Sequence, residues 1–300
     1  MYDIIIIGAG PAGLTSAIYG ARGGKTVLVL EANMAGGQIV NTPKVENYPG
    51  IPEIAGFQYA MNLMNQASAL GAEIKYEKVL SIEDKNEEKI ITTESASYTG
   101  RSVIIATGLT KRKLELEREE EFLGKGVSYC ATCDGAFYRD KTVAVVGGGN
   151  TALEDAIFLS EYCKKVYLIH RRDSFRGESA LVKRVQSTSN VEIIYNTIPS
   201  RLLGEEKLSG IEIKNSKNEE KRELSIDGLF IAIGQLPLND IFGKLITLDE
   251  DGYVASGESC KTNVSGIFTA GDCRSKKVRQ LTTAVSDGAI AALAALEYLF

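Results

Sequence analysis

The sequence predicts an α/β protein with two parallel sheets, because one pattern of strand, glycine-rich turn and helix occurs twice in 300 residues. Each copy starts with a continuous run of β-branched and other apolar residues, which is typical of a strand buried on both faces. Each run ends at closely spaced glycines, and apolar residues at helical spacing follow. This pattern is typical of a nucleotide-binding unit, so two copies predict two bound nucleotides.

Length and composition fit a soluble protein of two domains. The chain is 44% hydrophobic and 24% charged, as is usual for globular proteins. A net charge of −5 argues against nucleic acid or an acidic membrane as a partner. The apolar run Ile4–Ile7 is too short for a signal peptide or a membrane span, and no basic segment precedes it. We therefore expect a cytoplasmic protein with no membrane partner, where structural disulfides are rare.

The first copy of the pattern begins at the N-terminus. Residues 2–7 predict a strand, and the glycine-rich turn follows it directly. Gly8 permits a tight turn, Gly10 lets the backbone approach a pyrophosphate, and Gly13 lets helix and strand pack closely. Free N–H groups at the helix start would then bind the phosphates. These features predict a Rossmann-like unit whose turn reads Gly8-Ala9-Gly10-Pro11-Ala12-Gly13.

The second copy begins with Thr142–Val146 and differs from the first at the end of its second strand. In the first copy that strand ends in Glu31, which would accept hydrogen bonds from a ribose diol. The corresponding position is His170, and three arginines follow it. Arginines can pair with a 2′-phosphate that a carboxylate would repel, so the second copy predicts an NADPH site. The alternative is a solvated basic turn formed by Arg171, Arg172 and Arg176.

A Cys-x-x-Cys pair, Cys130 and Cys133, stands just before the second copy. In a cytosolic nucleotide-binding protein this spacing indicates catalytic thiol–disulfide exchange. Half of a zinc site is the alternative, but zinc needs four ligands and the other candidates are scattered, so we expect no metal. Asp134 could exchange a proton as a thiolate forms or leaves. Its alternative role is that of a helix cap or turn residue.

The remaining cysteines and the single histidine receive no catalytic role. We expect Cys163 on the helix of the second unit as a small packed residue, and we assign no role to Cys260 or Cys273. Because His170 is the only histidine, no spare imidazole is available for acid–base catalysis. We interpret it as part of the phosphate pocket.

Further short segments lie between these motifs in a characteristic order. They are Gly36-Gly37-Gln38, Val45-Glu46-Asn47-Tyr48-Pro49-Gly50, Ala106-Thr107-Gly108, Ala232-Ile233-Gly234, Gly271-Asp272-Cys273, Arg279-Gln280 and Asp287-Gly288-Ala289. Together with the two turns, the arginine segment and Cys130-Ala131-Thr132-Cys133-Asp134, they resemble the low-molecular-weight thioredoxin reductases. The matching segments span nearly the whole chain.

The resemblance implies an NADPH domain inserted into a discontinuous FAD domain. The expected boundaries are residues 1–111 plus 243–300 for FAD and 112–242 for NADPH and the cysteine pair. The implied FAD-binding residues are Gly8, Gly10, Pro11, Ala12, Gly13, Glu31, Gly37, Gln38, Asn47, Thr107, Gly108, Gly271, Asp272, Arg279, Gln280 and Ala289. The implied NADPH-binding residues are Gly147, Gly149, Asn150, Thr151, Ala152, His170, Arg171, Arg172, Arg176, Ile233 and Gly234.

The resemblance also implies a reaction path. A hydride passes from NADPH to FAD, the reduced flavin reduces the Cys130–Cys133 disulfide, and the dithiol reduces thioredoxin. By similarity, Cys133 lies next to the flavin and Cys130 attacks the partner disulfide. Because nicotinamide and dithiol share one domain, that domain is expected to rotate about its two joins. A homodimer is also implied by the family.

Four alternatives remain open from the sequence. A ferredoxin-dependent or oxygen-coupled flavin dithiol enzyme would have no use for the arginine segment. Another small disulfide carrier, of the glutaredoxin or peroxidase type, could replace thioredoxin. A non-catalytic redox sensor would need only one nucleotide site. Lys111–Leu116 is more charged than the family pattern suggests, which fits either a solvated linker or a docking segment for an acidic protein.

Overall fold

A computed structural model describes residues 1–42 and 44–300. The chain divides into two compact units. The first unit comprises Met1–Thr110 and Leu236–Phe300, and the second comprises Lys111–Gln235. The second unit is therefore an insertion into the sequence of the first.

The described residues form strands and helices with the following bounds. The strands are β1 (Tyr2–Ile7), β2 (Val27–Glu31), β3 (Glu73–Tyr76), β4 (Val79–Lys85), β5 (Glu88–Thr93), β6 (Ser97–Ile105), β7 (Leu109–Lys111), β8 (Val127–Ser128), β9 (Thr142–Gly147), β10 (Lys165–Ile169), β11 (Val191–Ile194), β12 (Thr197–Leu203), β13 (Gly210–Asn215), β14 (Lys221–Ser225), β15 (Gly228–Ala232), β16 (Gln235–Pro237) and β17 (Ile267–Thr269). The helices are α1 (Pro11–Arg22), α2 (Gly56–Ala69), α3 (Ala131–Asp134), α4 (Asn150–Ser160), α5 (Ser179–Ser187) and α6 (Leu281–Tyr298). Short 3₁₀ turns include Gly37–Asn41 and Gly271–Cys273.

The first unit is built on a sheet with the strand order β3-β2-β1-β6-β5-β4, and β17 pairs with β6. Strands β3, β2, β1, β6 and β17 are parallel, whereas β4 and β5 are antiparallel additions. Ile4 and Ile6 belong to the buried cluster that contains α1 and α6, and Ile5 and Ile7 belong to the cluster on the other face. The continuous apolar run of β1 is thus explained by burial on both faces.

The second unit contains a fully parallel sheet with the order β11-β10-β9-β15-β8. Ala144 and Val146 of β9 face one buried cluster, while Val143 and Val145 face the other. An antiparallel sheet, β12-β13-β14, contributes to the first of these clusters. The predicted α/β class with two Rossmann-type sheets is confirmed.

The C-terminal helix α6 begins at Leu281, where Gln280 and Thr283 form a capping box. One local expectation was wrong in extent. Cys163 is buried as expected, but it lies beyond α4, which ends at Ser160. Within the described ranges, no helix is both long and apolar enough to cross a bilayer.

Candidate functional site

The first glycine-rich turn joins β1 to α1 and depends on close backbone contacts. Gly8 has φ +106°, and a Cβ placed on it would lie 2.3 Å from the carbonyl oxygen of Ala106. A Cβ on Gly13 would lie 1.9 Å from the carbonyl oxygen of Gly8. No other residue fits these two positions without movement of the backbone. The turn therefore brings the start of α1 directly over the carboxyl ends of β1 and β6.

Gly10 has a different environment from its two neighbouring glycines. A Cβ placed on Gly10 would meet only the Cα of Gly37, at 3.9 Å. Gly10 is also the N-cap of α1, and its lack of a side chain leaves the first N–H groups of the helix without a side-chain cap. Helix starts of this kind bind phosphate through these N–H groups and the helix dipole. The turn therefore has both the space and the donors that a pyrophosphate needs.

Glu31 lies at the carboxyl end of β2, beside the same turn. Its carboxylate accepts hydrogen bonds from the backbone N–H of Ala9 at 2.7 Å and of Asn33 at 2.9 Å. Each carboxylate oxygen has a further lone pair. Glu31 therefore fixes the turn and retains the capacity to accept a ribose hydroxyl.

The segment after β17 also packs against the first glycine-rich turn. Gly271 packs against the start of α1, where a Cβ on Gly271 would lie 2.8 Å from the Cβ of Ala12. The next residue, Asp272, has a buried Oδ1 that receives no hydrogen bond from any described residue. Burial raises the pKa of Asp272, and the nearby charges of Lys276 and Arg279 oppose that rise. A buried carboxylate oxygen without a donor is well suited to accept a ligand hydroxyl.

The other predicted FAD residues lie in the first unit around these two segments. Gln38 donates to the carbonyl oxygen of Leu109 at 2.6 Å, and Asn47 donates to Gln280 at 3.4 Å. The hydroxyl of Thr107 donates to the side-chain oxygen of Asn239 at 3.1 Å. Two of the remaining residues are glycines: Gly108 has φ +64°, and Gly37 packs against Gly10. Pro11 begins α1, and Ala289 lies within α6. Arg279 donates a hydrogen bond to the carbonyl oxygen of Asp272.

The second glycine-rich turn joins β9 to α4. As in the first turn, one glycine is required by close packing and another leaves open space at the helix start. A Cβ on Gly147 would lie 2.3 Å from the carbonyl oxygen of Ala232 and 2.5 Å from the Cβ of Ala152. A Cβ on Gly149 would meet nothing within 4 Å. Gly149 is the N-cap of α4 and provides no capping side chain. Asn150 and exposed Thr151 begin the helix, so the open space lies at its N-terminus.

The arginine segment is tied to this second turn by its backbone. The N–H of Arg176 donates to the carbonyl oxygen of Gly148 at 2.8 Å, and Asn150 exchanges hydrogen bonds with Glu178 at 2.8 and 3.0 Å. The side chains of Arg171, Arg172 and Arg176 are exposed, and no ion pair is found for them in the part of the chain that the structure describes. Three guanidinium groups are thus available beside the turn for a phosphate.

His170 lies beneath the turn rather than on its open side. His170 is 7% exposed, and a Cβ on Gly148 would lie 2.1 Å from its ring. Its Nε2 lies 3.0 Å from the carbonyl oxygen of Ser174, and the ring packs against Phe175. Burial lowers the pKa of His170, and hydrogen bonding to the backbone of Ser174 and Gly147 opposes this. The charges of Arg172 and Arg171 lower it further, so that the pKa is lowered on balance. The neutral imidazole therefore supports the turn and the arginine segment from below.

Ile233 and Gly234 follow the carboxyl end of β15. Ala232 pairs with Gly147 in the sheet, so this end lies beside the second turn. Gly234 is exposed with φ +103°, and its carbonyl oxygen accepts a hydrogen bond from the N–H of Arg112. All the predicted NADPH residues therefore belong to the second unit and lie at or near the carboxyl edge of its parallel sheet.

The cysteine pair forms a disulfide in the second unit. Cys130 and Cys133 are joined by an S–S bond of 2.06 Å at the start of α3. The N–H of Cys133 donates to Sγ of Cys130 at 3.2 Å, and the hydroxyl of Thr132 lies 3.4 Å from the same sulfur. These two donors would also stabilise a thiolate on Cys130. By contrast, Cys163, Cys260 and Cys273 are buried free thiols, and burial raises the pKa of Cys163 to about 11.

Asp134 is fixed beside the disulfide by Ser128. The hydroxyl of Ser128 donates to Oδ2 of Asp134 at 2.6 Å and accepts a hydrogen bond from the N–H of Cys130 at 3.0 Å. Ser128 is therefore the link between the carboxylate and the cysteine pair. Sequence reasoning passed over this residue, although its place on β8 two residues before Cys130 was a usable signal.

Two further features escaped the sequence analysis. Phe137 is 73% exposed and follows Cys133 by four residues, so a large apolar surface stands close to the redox pair in sequence. In the first unit, Asp287, Arg274 and Lys276 form a buried charged cluster next to Asp272. The proximity of Phe137 to the cysteine pair can be read from the sequence, whereas the charged cluster depends on tertiary contacts.

Comparison with known proteins shows the family of the chain. The chain belongs to the pyridine nucleotide-disulphide oxidoreductase family, whose model matches residues 2–288. Within that family it is similar to thioredoxin reductases. It is 44% identical to the thioredoxin reductase of Treponema pallidum over 99% of this chain and 97% of that protein, and 41% identical to that of Listeria innocua over 100% and 94%. The crystal structure of Lactococcus lactis thioredoxin reductase matches with a TM-score of 0.87, 40% identity and coverage of 100% and 99%.

Proposed function

We propose that this protein is an NADPH-dependent, FAD-containing thioredoxin-disulfide reductase. The observation that carries the proposal is the Cys130–Cys133 disulfide, which lies in the same unit as a glycine-rich turn flanked by exposed arginines. A redox-active pair and a dinucleotide site in one unit suit an enzyme that reduces disulfides with a nicotinamide cofactor. The family and its thioredoxin reductase members support the same conclusion.

The residues present fit the two cofactors. For FAD, Gly10 leaves space at the start of α1, and Glu31 has acceptor capacity for a ribose. Asp272 has a buried Oδ1 whose contact among the described residues is the longer ion pair with Lys276 at 3.5 Å. We assign FAD to the first unit and NADPH to the second on this basis. Bound FAD would supply the two-electron carrier between NADPH and the cysteine pair. Arg171, Arg172 and Arg176 would bind the 2′-phosphate and favour NADPH over NADH.

The dithiol form of the cysteine pair performs the exchange with the substrate. The Cys130 thiolate attacks one sulfur of the thioredoxin disulfide, and the other thioredoxin sulfur leaves as a thiolate that takes up a proton. The Cys133 thiolate then attacks Cys130 in the mixed disulfide, which releases the second thioredoxin thiol. Two electrons pass to thioredoxin, and Cys130 and Cys133 return to the disulfide. Asp134, held by Ser128, would give or take the protons.

The inserted unit would alternate between two tasks. Nicotinamide and dithiol both need access to the flavin, yet both sites belong to Lys111–Gln235. We propose that this unit rotates about its two joins with the first unit between the half-reactions. A cross-link that locks the units should leave one half-reaction fast and the other slow in stopped-flow measurements. Unchanged turnover in the cross-linked protein would refute the rotation.

The oligomeric state and the cellular compartment of the protein are inferred together with its function. We infer a homodimer, as the family resemblance implies, and sedimentation velocity of the purified protein tests this inference. We also infer that the protein works in the cytoplasm, because a dithiol reductase needs a reducing compartment and three other cysteines are free. Fractionation of the source cells tests the location.

The decisive experiment measures NADPH oxidation by FAD-loaded protein with thioredoxin present. Wild type should oxidise NADPH only when thioredoxin is added, and Cys130→Ser should abolish this activity. Cys163→Ala is the matched control, because this thiol is buried and distant in sequence from the redox pair. Oxidation that is indifferent to Cys130 would instead favour oxygen as acceptor, and reduction by ferredoxin but not NADPH would favour the ferredoxin-fed alternative.

A further inference from the structure

Lys276 is an unusual lysine because its ammonium group is buried among acidic groups. Its side chain is 7% exposed. Nζ lies 2.9 Å from Oδ2 of Asp287, 3.5 Å from Oδ1 of Asp272 and 3.3 Å from the hydroxyl of Thr283. Buried lysines need compensating charges, since removing an ammonium group from water is costly. The acidic groups that contact Lys276 therefore indicate what its charge does.

Asp287 does not by itself account for Lys276. Arg274 already binds Asp287 in a bidentate manner, with Nε to Oδ2 and Nη2 to Oδ1 both at 2.8 Å. The side chains of Arg274 and Asp287 are only 4% and 5% exposed, so this pair is neutral and buried. Glu258 lies 3.9 Å from Nη2 of Arg274, but its side chain is 94% exposed. Besides Asp287, Asp272 is the carboxylate within ion-pair distance of the Lys276 ammonium group itself.

Asp272 in turn depends on Lys276. Its Oδ1 is buried and receives no hydrogen bond, so burial favours the neutral acid. Burial does raise the pKa of Asp272, while the charges of Lys276 and Arg279 lower it and that of Asp287 raises it. Arg279 is engaged elsewhere, since its guanidinium donates to the carbonyl oxygens of Asp272 and Arg274 and stacks on Tyr253. Lys276 is therefore the cation that contacts the carboxylate itself.

We propose that Lys276 is a positioning residue for the flavin site, which keeps Asp272 ionised and directs its Oδ1 as an acceptor for a hydroxyl group of the dinucleotide. The proposal rests on the assignment of FAD to the first unit. Asp287 holds both Lys276 and the backbone next to Asp272 in place. It holds Lys276 through Oδ2 and accepts a hydrogen bond from the N–H of Gly271 at 3.1 Å, so one carboxylate fixes both the lysine and the turn that carries Asp272.

The test is the pH dependence of FAD rebinding to apo-protein, followed by quenching of FAD fluorescence between pH 5 and 8.5. Without Lys276, the pKa of Asp272 rises, so the carboxylate is protonated at a higher pH and its charge-assisted hydrogen bond is lost there. In Lys276→Met, the pH at which FAD affinity falls should move up by about one pH unit. At pH values below both midpoints, this shift corresponds to a loss of affinity up to about ten-fold larger than in wild type. Lys276→Arg, which keeps the charge, should restore most of the wild-type profile.

Two comparisons separate this role from a general loss of structure. Lys277→Met removes an exposed neighbouring lysine and should leave the profile unchanged. Asp272→Asn should bind FAD more weakly at every pH, and adding Lys276→Met to it should introduce no further pH dependence. Circular dichroism of each apo-protein controls for folding.

Each outcome decides between the proposals. If Lys276→Met binds FAD with the wild-type pH profile, or with an affinity lowered equally at all pH values, the role of Lys276 is wrong while the proposed function stands. If Asp272→Asn binds FAD as tightly as wild type, Asp272 is not an acceptor and Lys276 has nothing to position. If wild-type protein binds no FAD, the proposed function fails together with this inference.

Discussion

The backbone N–H of Arg176 donates a 2.8 Å hydrogen bond to the carbonyl oxygen of Gly148, which joins the arginine segment to the second glycine-rich turn. The bond places a run of exposed cations beside the N-terminus of α4. A 2′-phosphate and a pyrophosphate could therefore be bound from adjacent parts of one site. The buried ring of His170 supports both segments from below.

Arg171 and Arg172 should determine the preference for NADPH over NADH. Replacing both by Ala should raise the KM for NADPH by about ten-fold or more, because charge-assisted hydrogen bonds to a phosphate are lost. The kcat/KM for NADH should change by less than about two-fold, since NADH has no 2′-phosphate. Steady-state kinetics with both cofactors measure this, and Arg222→Ala on exposed β14 is the control. Equal losses for both cofactors would show that the arginines serve only the fold.

Asp134 should be needed for proton transfer at the cysteine pair. Asp134→Asn keeps the size of the side chain, so we expect thioredoxin-dependent kcat to fall by about 100-fold with little change in KM. Ser128→Ala removes one donor to the carboxylate and should have a smaller effect, roughly three- to ten-fold. Asp140→Asn provides the control because Asp140 is exposed and Asn also adopts its positive φ. A decrease of less than about five-fold in Asp134→Asn would leave only a turn role for this residue.

The sequence predicts the nucleotide-binding units well because their signals are local. Apolar runs such as Ile4–Ile7 are continuous only when both faces of a strand are buried, and the two glycine turns follow them directly. The contrast between Glu31 and His170 also comes from one position in each copy. Spacing along the chain is sufficient to place these residues at the carboxyl edges of the two sheets.

The buried cluster around Asp287 could not be predicted in this way. Its members Arg274 and Lys276 lie in an irregular segment, and Asp287 lies on α6, where a charged residue would ordinarily face solvent. Only tertiary packing brings them within hydrogen-bond distance. The start of α6 is hard to predict for a related reason, since Leu281 to Gly288 lack a clear apolar stripe and the helix start is fixed by the Gln280–Thr283 capping box.

Gly147 and Gly149 should respond differently to the same substitution. Gly147→Ala brings a Cβ within 2.3 Å of a carbonyl oxygen, so it should lower the free energy of unfolding by about 1–3 kcal/mol. Gly149→Ala meets no atom within 4 Å and should leave stability unchanged. It should nevertheless weaken NADPH binding by roughly ten-fold or more, because the methyl group occupies the space of the pyrophosphate. Urea unfolding and NADPH titration measure the two effects. Normal NADPH affinity in Gly149→Ala would move the phosphate site away from this turn.

His170 should make the stability of the protein depend on pH. Burial lowers the pKa of its imidazole in the fold, whereas the unfolded chain has a histidine pKa of about 6.5. The stability contributed by the neutral ring is therefore complete above about pH 6.5 and is lost as the pH falls, by at most about 1.4 kcal/mol per pH unit. Asp155 acts in the opposite direction, because burial raises its pKa to about 6 and protonation relieves that cost as the pH falls.

Urea unfolding at pH 7.5 and 5.5 separates these two groups. His170→Gln keeps a neutral donor for the carbonyl oxygen of Ser174 but cannot take up a proton, so its stability should fall less than that of wild type between the two pH values. Asp155→Asn should make the decrease steeper than in wild type, because the opposing titration is removed. Since His170 is the only histidine, no other imidazole can produce the difference. Parallel pH profiles for wild type and His170→Gln would mean that the ring can be protonated in the folded state without cost, which its position beneath Gly148 argues against.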